Sequence, residues 1–508
     1  MSTQPKPSNP LKAVRGTRDL LPPETALWNR VEAVARDVFA RYGFGEIRTP
    51  IFEATELFAR GVGEETDIVS KEMYTWEDRA RAQSEKAQSL TLRPENTAGV
   101  VRAYIEHKLG ERGDLQKLFY IGPQFRRERP QRGRYRQFWQ IGVEVLGPVS
   151  SGSESPVRDA EVLEMLATLL DELGVKNWRL ELNSVGSTED RKRYDAALRA
   201  ALAPVKARMC EDNQRRAETN PLRVLDSKEP ADQEIIAALP KIADYLGEDS
   251  RAHFVAVRAA LDACAVPYTV NPRLVRGLDY YTRTTFEFTV PSSSDPASGL
   301  GTQNALLGGG RYDGLSEMLG GPKAPGIGFA IGEDRLILTL QAQAEATAKA
   351  AGESSAGAPH LASEMWVPNP KLDAYIAPMG AECNAAALAL ARELRRAGLS
   401  VEVGDGTFRL KKSFEAADKV ARNIVILGED ELATEVLTVK TFKDAFQWKS
   451  LKENLIHVLK IERLAREDRD RACQTGYESD RSIAEKREGV AREDRETANE
   501  IATMRLRN

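Results

Sequence analysis

FYIGPQFRRERPQRGRYRQFWQIGVEVLG, residues 119–147, carries the strongest structural signal in the chain. Its flanks alternate apolar and polar residues, which is the period-two pattern of antiparallel β-strands. Between Arg126 and Arg136 the connecting loop holds six arginines, and Glu128 is the only acid among them. Arginine keeps its charge and binds phosphate in bidentate fashion. The stretch therefore predicts a β-hairpin that presents a phosphate-binding surface, with a solvated basic turn as the alternative.

A second motif is GIGFAIGEDRL, residues 326–336, which predicts a glycine-rich strand followed by a helix with Arg335 in its first turn. Glycine within a strand marks a close approach by another backbone or a ligand, and tight packing alone is the alternative. Glu333 and Asp334 would lie at the helix N-terminus, where negative charge is favourable. We expect both acids to be tolerated there.

A third motif, TLRPENTAGVVRAY (residues 91–104), places Glu95 and Thr97 at a predicted strand-to-helix junction. Two polar side chains so close in sequence can face one cation. A cap for the following helix is the alternative, and both roles are compatible.

These motifs, together with LVRGLDYYTRTTFEF (274–288) and ALLGGGRYDGL (305–315), resemble the signatures of the histidyl-tRNA synthetase family within the class II aminoacyl-tRNA synthetases. The resemblance implies an α+β fold, with an antiparallel sheet flanked by helices, a helical insertion and a C-terminal α/β anticodon-binding domain. It also implies ATP-dependent attachment of histidine to tRNA through a histidyl-adenylate.

The resemblance implies catalytic roles for three arginines. Arg126 would grip the α-phosphate of ATP and the substrate carboxylate, Arg276 would lie against the α-phosphate, and Arg335 would meet adenine and the γ-phosphate. ATP, with Mg²⁺, is thus an expected ligand. The hairpin residues that match family positions at the tRNA acceptor end are Arg129, Gln131 and Arg136.

A histidine-binding pocket is implied in the same way. Glu144 and Tyr281 match the pair that hydrogen-bonds the two imidazole nitrogens, and a site built on paired polar groups rejects isosteres strongly. Tyr280 stands beside them or serves as a core aromatic. The residues that match the ammonium-binding positions are Glu95, Thr97 and Gln140.

Composition shifts predict the domain organisation. We expect a catalytic domain over residues 1–340 with a helical insertion at about 187–258, an Ala/Ser/Gly-rich linker over 341–369, an anticodon-binding domain over 370–460 and a charged tail over 461–508. The sequence AREDR occurs twice in the tail, which is predicted to be a solvated helix or disordered.

Composition and charge narrow the remaining expectations. The four cysteines are far apart, which disfavours a zinc site or disulfide framework and fits the cytoplasm. The first ten residues have no apolar core and no long apolar run follows, so we expect neither a signal peptide nor a membrane partner. A net charge of −4 argues against a DNA coat protein. From the resemblance we expect histidine, ATP, tRNA(His) and a second copy of the chain as partners.

Three alternatives remain open at this point. One is a regulatory paralogue of histidine biosynthesis that keeps the fold without aminoacylating tRNA; the second domain and the specific motifs argue against it. Another class II specificity, prolyl or threonyl, is disfavoured by LVRGLDYY and Glu144. A stress-sensing module of the kind appended to kinases is disfavoured because the kinase domain is missing. Separately, the sequence holds no P-loop pattern.

Overall fold

The computed structural model describes residues 11–63, 66, 68–78, 87–227, 229–275, 280–291, 304–350, 371–475 and 478–507. The chain divides into two compact units, Met1–Val367 and Pro368–Asn508, each with a sheet of its own. This is the α+β class that the sequence predicted. None of the helices in the described ranges is long and apolar enough to span a membrane.

The N-terminal unit combines strands of two sheets with helices that cover them. The described strands are β1 (Gly45–Glu46), β2 (Phe52–Ala54), β3 (Tyr74–Asp78), β4 (Gln88–Leu92), β5 (Gln116–Phe125), β6 (Gln137–Leu146), β7 (Arg179–Ser184), β8 (Tyr268–Val270), β9 (Thr282–Thr289), β10 (Ala305–Arg311) and β11 (Gly326–Gly332). The described helices are α1 (Glu24–Arg41), α2 (Thr55–Val62), α3 (Thr97–Glu106), α4 (Pro156–Glu172), α5 (Thr188–Leu202), α6 (Glu211–Thr219), α7 (Gln233–Ala237), α8 (Glu248–Ala263), α9 (Leu315–Met318) and α10 (Glu333–Ala350).

The large sheet positions the site. Its order among the described strands is β1-β5-β6-β11-β10-β9-β7-β8, and only the outer pairs β1–β5 and β7–β8 are parallel. The hairpin β5–β6 pairs continuously from Gln116 opposite Leu146 to Phe125 opposite Gln137, as its alternation predicted. Because successive side chains of a strand point to opposite faces, β6 presents Gln140 and Glu144 on one face and Ile141, Val143 and Val145 on the other.

The apolar face of this sheet is covered by helices. Along α1, Leu27, Val31 and Val38 recur at the spacing of one helix face and are at most 2% exposed. They join one core cluster with residues of α4, β6, β11 and α10. Burying such a side chain contributes about 1.5–3 kcal/mol, so this face of the sheet accounts for much of the folding free energy of the unit.

The segment 46–52 does not form one continuous strand. The structure ends β1 at Glu46 and begins β2 at Phe52, with Pro50 between them. Proline has no N–H to donate to a strand ladder, which interrupts the pairing. The chain thereby leaves the large sheet and enters a small sheet of order β2-β4-β3.

The predicted helical insertion is formed by α5 to α8 and short 3-10 turns. Ser187 caps α5, because its hydroxyl accepts the N–H of Asp190 while the Asp190 carboxylate accepts the N–H of Ser187. The insertion shares an apolar cluster with three tyrosines of the large-sheet region, Tyr280, Tyr281 and Tyr312. It therefore packs against the part of the unit that carries the specific motifs.

The C-terminal unit is a smaller α/β domain. Its described strands are β12 (Ala374–Pro378), β13 (Val401–Val403), β14 (Asn423–Leu427), β15 (Val436–Thr441) and β16 (Gln447–Leu451), in the order β13-β12-β14-β15-β16. Its described helices are α11 (Asn384–Arg396), α12 (Leu410–Val420), α13 (Glu429–Thr434), α14 (Lys452–Thr475) and α15 (Glu478–Arg507). Helix α10 continues to Ala350, into the segment expected as linker, and residues 351–370 lie outside the described residues.

The charged tail is helical and packed within this unit. Ala465 and Ala491, which occupy matching positions of the two AREDR repeats, are 1% and 3% exposed. Asn499 on α15 accepts the N–H of Lys449 through its side-chain oxygen, which satisfies a backbone group of the edge strand β16. The tail therefore adds helices to the second unit, and neither a fully solvated helix nor disorder describes it.

Glu333 is an exception to the apolar filling of the core. It begins α10 but is 0% exposed, and neither carboxyl oxygen has a hydrogen-bond partner among the described residues. Burial, reinforced by Glu32 and Asp334 and opposed by Arg36, raises the pKa of Glu333 to about 9. The sequence argument that a helix N-terminus suits this charge was wrong for Glu333, because the loss of hydration outweighs the helix dipole.

Replacing Glu333 by Leu is expected to stabilise the protein in a pH-dependent way. With a folded-state pKa raised above the unfolded value, the carboxyl group makes the unfolding free energy fall as pH rises from about 4.5 to about 9. In thermal unfolding, the melting temperature of the variant should exceed that of the wild type by roughly 2–5 °C at pH 8.5 and by less at pH 5.5. Glu333→Gln controls for charge alone. A difference that does not change with pH would contradict this explanation.

Candidate active site

A cavity of about 870 Å³ lies on the polar face of the large sheet. It is bounded by the β5–β6 hairpin, the strands β9 to β11 and the start of α3. The residues expected at the site from sequence that line it are Glu95, Thr97, Arg126, Gln140, Tyr280, Tyr281 and Arg335. Segments separated by more than 200 residues along the chain thus meet at one place.

Glu144 is 0% exposed and is bonded to two residues that line this cavity, although it is not itself among the lining residues. Its Oε1 accepts a hydrogen bond from Thr97 Oγ1 at 2.7 Å, and its Oε2 accepts one from the Tyr312 hydroxyl at 2.6 Å. Burial raises the pKa of Glu144 to about 8 in spite of these donors. A carboxyl group in this state can either donate or accept a proton near neutral pH.

Gly328 makes room for Glu144. The two residues are direct partners across β11 and β6, and a Cβ at Gly328 would lie 1.9 Å from Glu144 Oε2. The glycine-rich character of the second motif therefore has a specific cause here. Any side chain at this position would displace the carboxyl group from its two hydroxyl donors.

Glu95, Thr97 and Gln140 form a polar wall beside Glu144. The Glu95 carboxylate accepts the backbone N–H groups of Thr97 at 2.8 Å and Ala98 at 3.0 Å, so it caps α3 as the alternative interpretation proposed. Gln140 is 8% exposed, and its Oε1 has no hydrogen-bond partner among the described residues. The wall therefore offers an acceptor, next to a carboxylate, to a positively charged group.

Two arginines hold the loop that carries this wall. Arg93 is 7% exposed and donates to the carbonyl oxygens of Pro123 at 2.9 Å and Thr49 at 3.0 Å. Arg126 donates from Nε to the carbonyl of Pro94 at 2.9 Å. Sequence reasoning missed Arg93, because its partners are backbone carbonyls far away along the chain. Its proximity to Glu95 was the one available signal.

Arg126 and Arg335 are among the cationic residues that line the cavity. The Arg126 guanidinium lies 5.3 Å from the ring centre of Phe138, which also lines the cavity. Arg335 enters from the first turn of α10, as predicted, next to Gly133 of the hairpin loop. An aromatic face next to one arginine, in a cavity that a second arginine also lines, suits a flat, negatively charged ligand.

The three hairpin residues expected at the tRNA acceptor end do not line the cavity. Arg129 and Gln131 are exposed, and Gln131 forms an isolated bridge with Arg134. Arg136 is half-buried and donates from Nη1 to the carbonyl of Arg15 at 3.2 Å. They occupy the loop beyond the cavity edge. Arg276, the third catalytic arginine expected from sequence, lies outside the described residues together with positions 277–279.

Two tyrosines of the cavity were not named by sequence reasoning. Tyr312 directly follows the strand β10 and reaches Glu144, although its motif, ALLGGGRYDGL, had been recognised. Tyr120 is 3% exposed and lines the cavity from β5. Period two along β5 places Tyr120 on the same face as Arg126, and that spacing could have revealed it.

An antiparallel sheet, an arginine-bearing hairpin and a glycine strand leading into an arginine helix together define the catalytic unit of a class II aminoacyl-tRNA synthetase. Comparisons with known proteins narrow the class. The family model "Histidyl-tRNA synthetase" matches residues 16–336 and the model "Anticodon binding domain" matches residues 373–462.

Individual relatives agree with the family models. The histidine–tRNA ligase of Koribacter versatilis (strain Ellin345) is 67% identical over 85% of this chain and 91% of its own length. That of Solibacter usitatus (strain Ellin6076) is 53% identical over 83% and 92%. The crystal structure of apo S. aureus histidyl-tRNA synthetase matches with a TM-score of 0.68 at 35% identity, covering 89% of this chain and 100% of that one. The chain belongs to the histidyl-tRNA synthetase family.

Gly328→Ala should destabilise the protein through its clash with Glu144. Overpacking at such a site costs about 1–3 kcal/mol, which corresponds to roughly 1–4 °C in melting temperature for a unit of this size. Gly314→Ala is the matched control, because a Cβ at Gly314 meets no atom within 4 Å. Thermal unfolding of both variants measures the effect. Equal melting temperatures for the two would show that the Gly328–Glu144 contact is not tight.

Proposed function

We propose that this cavity activates histidine with ATP and then transfers it to tRNA(His). The observation that carries the proposal is Glu144, held without solvent exposure by Thr97 and Tyr312, which line a cavity that Arg126 and Arg335 also line. Relatives that share this chain nearly end to end are histidine–tRNA ligases, which favours this reaction over the regulatory paralogue.

The part of the cavity next to Glu144 would recognise the imidazole ring. Glu144 and Tyr281 bind its two nitrogens, with Tyr280 packed against Tyr281 at 4.8 Å between ring centres. An analogue without a matching nitrogen leaves Glu144 buried and unpaired, which is the strongest available basis for rejecting it. The α-ammonium group of histidine lies against the polar wall, where it donates hydrogen bonds to Glu95, Thr97 and Gln140.

In the first step, an oxygen of the histidine carboxylate attacks the α-phosphorus of ATP and pyrophosphate leaves. Arg126 holds the carboxylate and the α-phosphate together, and Arg276 meets the α-phosphate from the side of its motif. Arg335 and Phe138 hold the adenine and the outer phosphates. Catalysis then consists of positioning and of fixed positive charge where negative charge develops.

ATP would enter with Mg²⁺. Mg²⁺ prefers carboxylate and phosphate oxygens and is usually held by one or two carboxylates plus the substrate phosphates. Glu128 and Glu287 line the cavity and would supply such carboxylates. The described residues contain no cluster of three or more His, Cys, Asp or Glu side chains arranged for a metal ion. This donor set fits a metal that arrives with its nucleotide.

In the second step, the 3′-hydroxyl of the terminal ribose of tRNA attacks the carbonyl carbon of the adenylate, and AMP leaves. Arg129, Gln131 and Arg136 contact the acceptor end, because the hairpin loop carries them past the cavity edge. The domain around residues 370–460 contacts the anticodon. A phosphate oxygen of the adenylate takes the hydroxyl proton.

Pyrophosphate exchange tests the first step and the role of Glu144 together. With each of the twenty amino acids in turn, we expect only histidine to drive ATP–pyrophosphate exchange. Glu144→Gln should lower kcat/KM for histidine about 100-fold, since hydrogen bonds to charged groups are worth about 1.5–3 kcal/mol.

Glu333→Gln is the matched control for that assay, as a second buried carboxyl group outside the cavity. It should exchange like the wild type. If histidine binds but drives no exchange, the regulatory paralogue becomes the better interpretation. If another amino acid drives exchange, the assignment of the imidazole pocket is wrong.

We further propose that the protein is a homodimer. Ile51, Phe52 and Trp76, on the small sheet and at its edge, are 45%, 54% and 40% exposed. The rings of Phe52 and Trp76 lie 6.1 Å apart, so these exposed apolar groups form one patch rather than scattered residues. Adjacent exposed aromatic groups mark a protein interface, and a second copy of the chain is the occupant that we propose.

The double substitution Phe52→Glu and Trp76→Glu should shift the protein from dimer to monomer, because it buries two charges in the proposed interface. Light scattering coupled to gel filtration measures the change. Val255→Glu is the control, an equally exposed apolar residue on α8. A double variant that keeps the dimeric mass would place the interface elsewhere.

We also propose that the protein acts in the cytoplasm and has no DNA partner. The nucleic acid that its reaction requires is tRNA. The four cysteines have no close neighbour in the sequence, which fits a reducing compartment.

A further inference from the structure

A buried ion cluster lies behind the cavity wall that carries Tyr312. The side chain of Arg311 is 0% exposed, and so is that of Asp159 on α4. Arg311 donates from Nε to both carboxylate oxygens of Asp159, at 3.0 and 3.2 Å, and from Nη1 to Asp313 Oδ1 at 2.8 Å. Its Nη2 donates to the carbonyl of Ser153 at 3.0 Å and again to Asp159. The guanidinium group is thus fully engaged.

The cluster joins three elements. His253 of α8 places Nε2 2.8 Å from Asp159 Oδ2. Asp159 therefore links the last helix of the insertion, the start of α4 and the end of β10. Burial of so many charges is costly, and ion pairs of this kind are often no more stabilising than apolar residues would be. A role in fixing one local geometry explains their presence better than stability does.

The geometry that the cluster fixes is that of Tyr312. Arg311 and Asp313 flank it, and their side chains bond each other across it. The backbone N–H of Asp313 donates to Thr282 Oγ1 at 3.1 Å, and that of Tyr312 donates to the Gly326 carbonyl at 2.8 Å. The chain is therefore held on both sides of Tyr312, whose hydroxyl meets Glu144 at 2.6 Å.

We propose that the Asp159–Arg311–Asp313 cluster is a positioning device for histidine recognition: it holds Tyr312 so that its hydroxyl orients the Glu144 carboxyl group. This inference rests on the proposed function of the pocket. None of the three residues touches histidine. They set the affinity for histidine through one hydroxyl group, and they leave ATP binding, on the opposite side of the cavity, unaffected.

The test is a set of substitutions at the rim of the cluster, where the protein should still fold. Asp313→Ala removes one of the acceptors of Arg311 but leaves Asp159 in place, and Thr282→Val removes the acceptor of the Asp313 N–H. In ATP–pyrophosphate exchange we expect each to raise KM for histidine about 5- to 20-fold. KM for ATP should stay within about twofold, since the nucleotide does not meet Tyr312.

Glu161→Gln is the matched control. It removes another ion pair of α4, the 2.8 Å contact with Lys117, which lies away from Tyr312. It should lower the melting temperature slightly and leave KM for histidine unchanged. If Asp313→Ala behaves like Glu161→Gln, with a lower melting temperature and an unchanged KM for histidine, the cluster is structural only and the inference fails.

A double-mutant cycle tests whether the effect runs through Tyr312. In a Tyr312→Phe background, Asp313→Ala should raise KM for histidine less than about twofold, because the hydroxyl group that the cluster positions is already gone. Fully additive effects would overturn the inference. Calorimetric titration with histidine gives the same comparison without catalysis. A wild type that binds histidine but does not catalyse exchange refutes the proposed reaction alone, and one that binds no histidine refutes the pocket and the inference together.

Discussion

A carboxyl group without solvent exposure constrains everything around it, and Glu144 is that group here. It needs hydrogen-bond donors, which Thr97 and Tyr312 supply from two different motifs. It needs space, which the absence of a side chain at Gly328 supplies. The strand alternation of β6 then fixes Gln140 on the same face, and the helix start at Thr97 fixes Glu95 beside it. The pocket is thus one arrangement of mutually dependent parts.

The parts of the fold with a regular sequence period could be predicted from the sequence. The β5–β6 hairpin and the step from β11 into α10 follow from alternation and glycine placement, and they bring Gln140 and Arg335 to one cavity. Tyr312 and Arg93 were missed because their partners are distant in the chain, and spacing carries no information about such contacts. Glu333 was misjudged for a related reason: its position on the helix was read correctly, but its burial was not.

The two faces of the large sheet follow different physical rules. On one face α1, α4 and α10 bury apolar side chains, and Glu333 is out of place there. The Arg311–Asp159 pair is also on the helix side, between β10 and α4. On the other face, buried polar groups are held by specific partners, as Glu144 is by Thr97 and Tyr312. Glycines in β10 and β11 keep this face open. The contrast explains how one sheet provides both stability and a polar binding site.

The measurement that tests the role of Glu144 most directly is a crystal structure with histidine bound. We predict an imidazole nitrogen within about 2.7–3.2 Å of a Glu144 carboxyl oxygen, with the Tyr312 hydroxyl still bonded to the other oxygen and the α-ammonium group against Gln140 Oε1. Histidine bound with its ring away from Glu144, or Glu144 turned away from Tyr312 to meet it, would contradict the account.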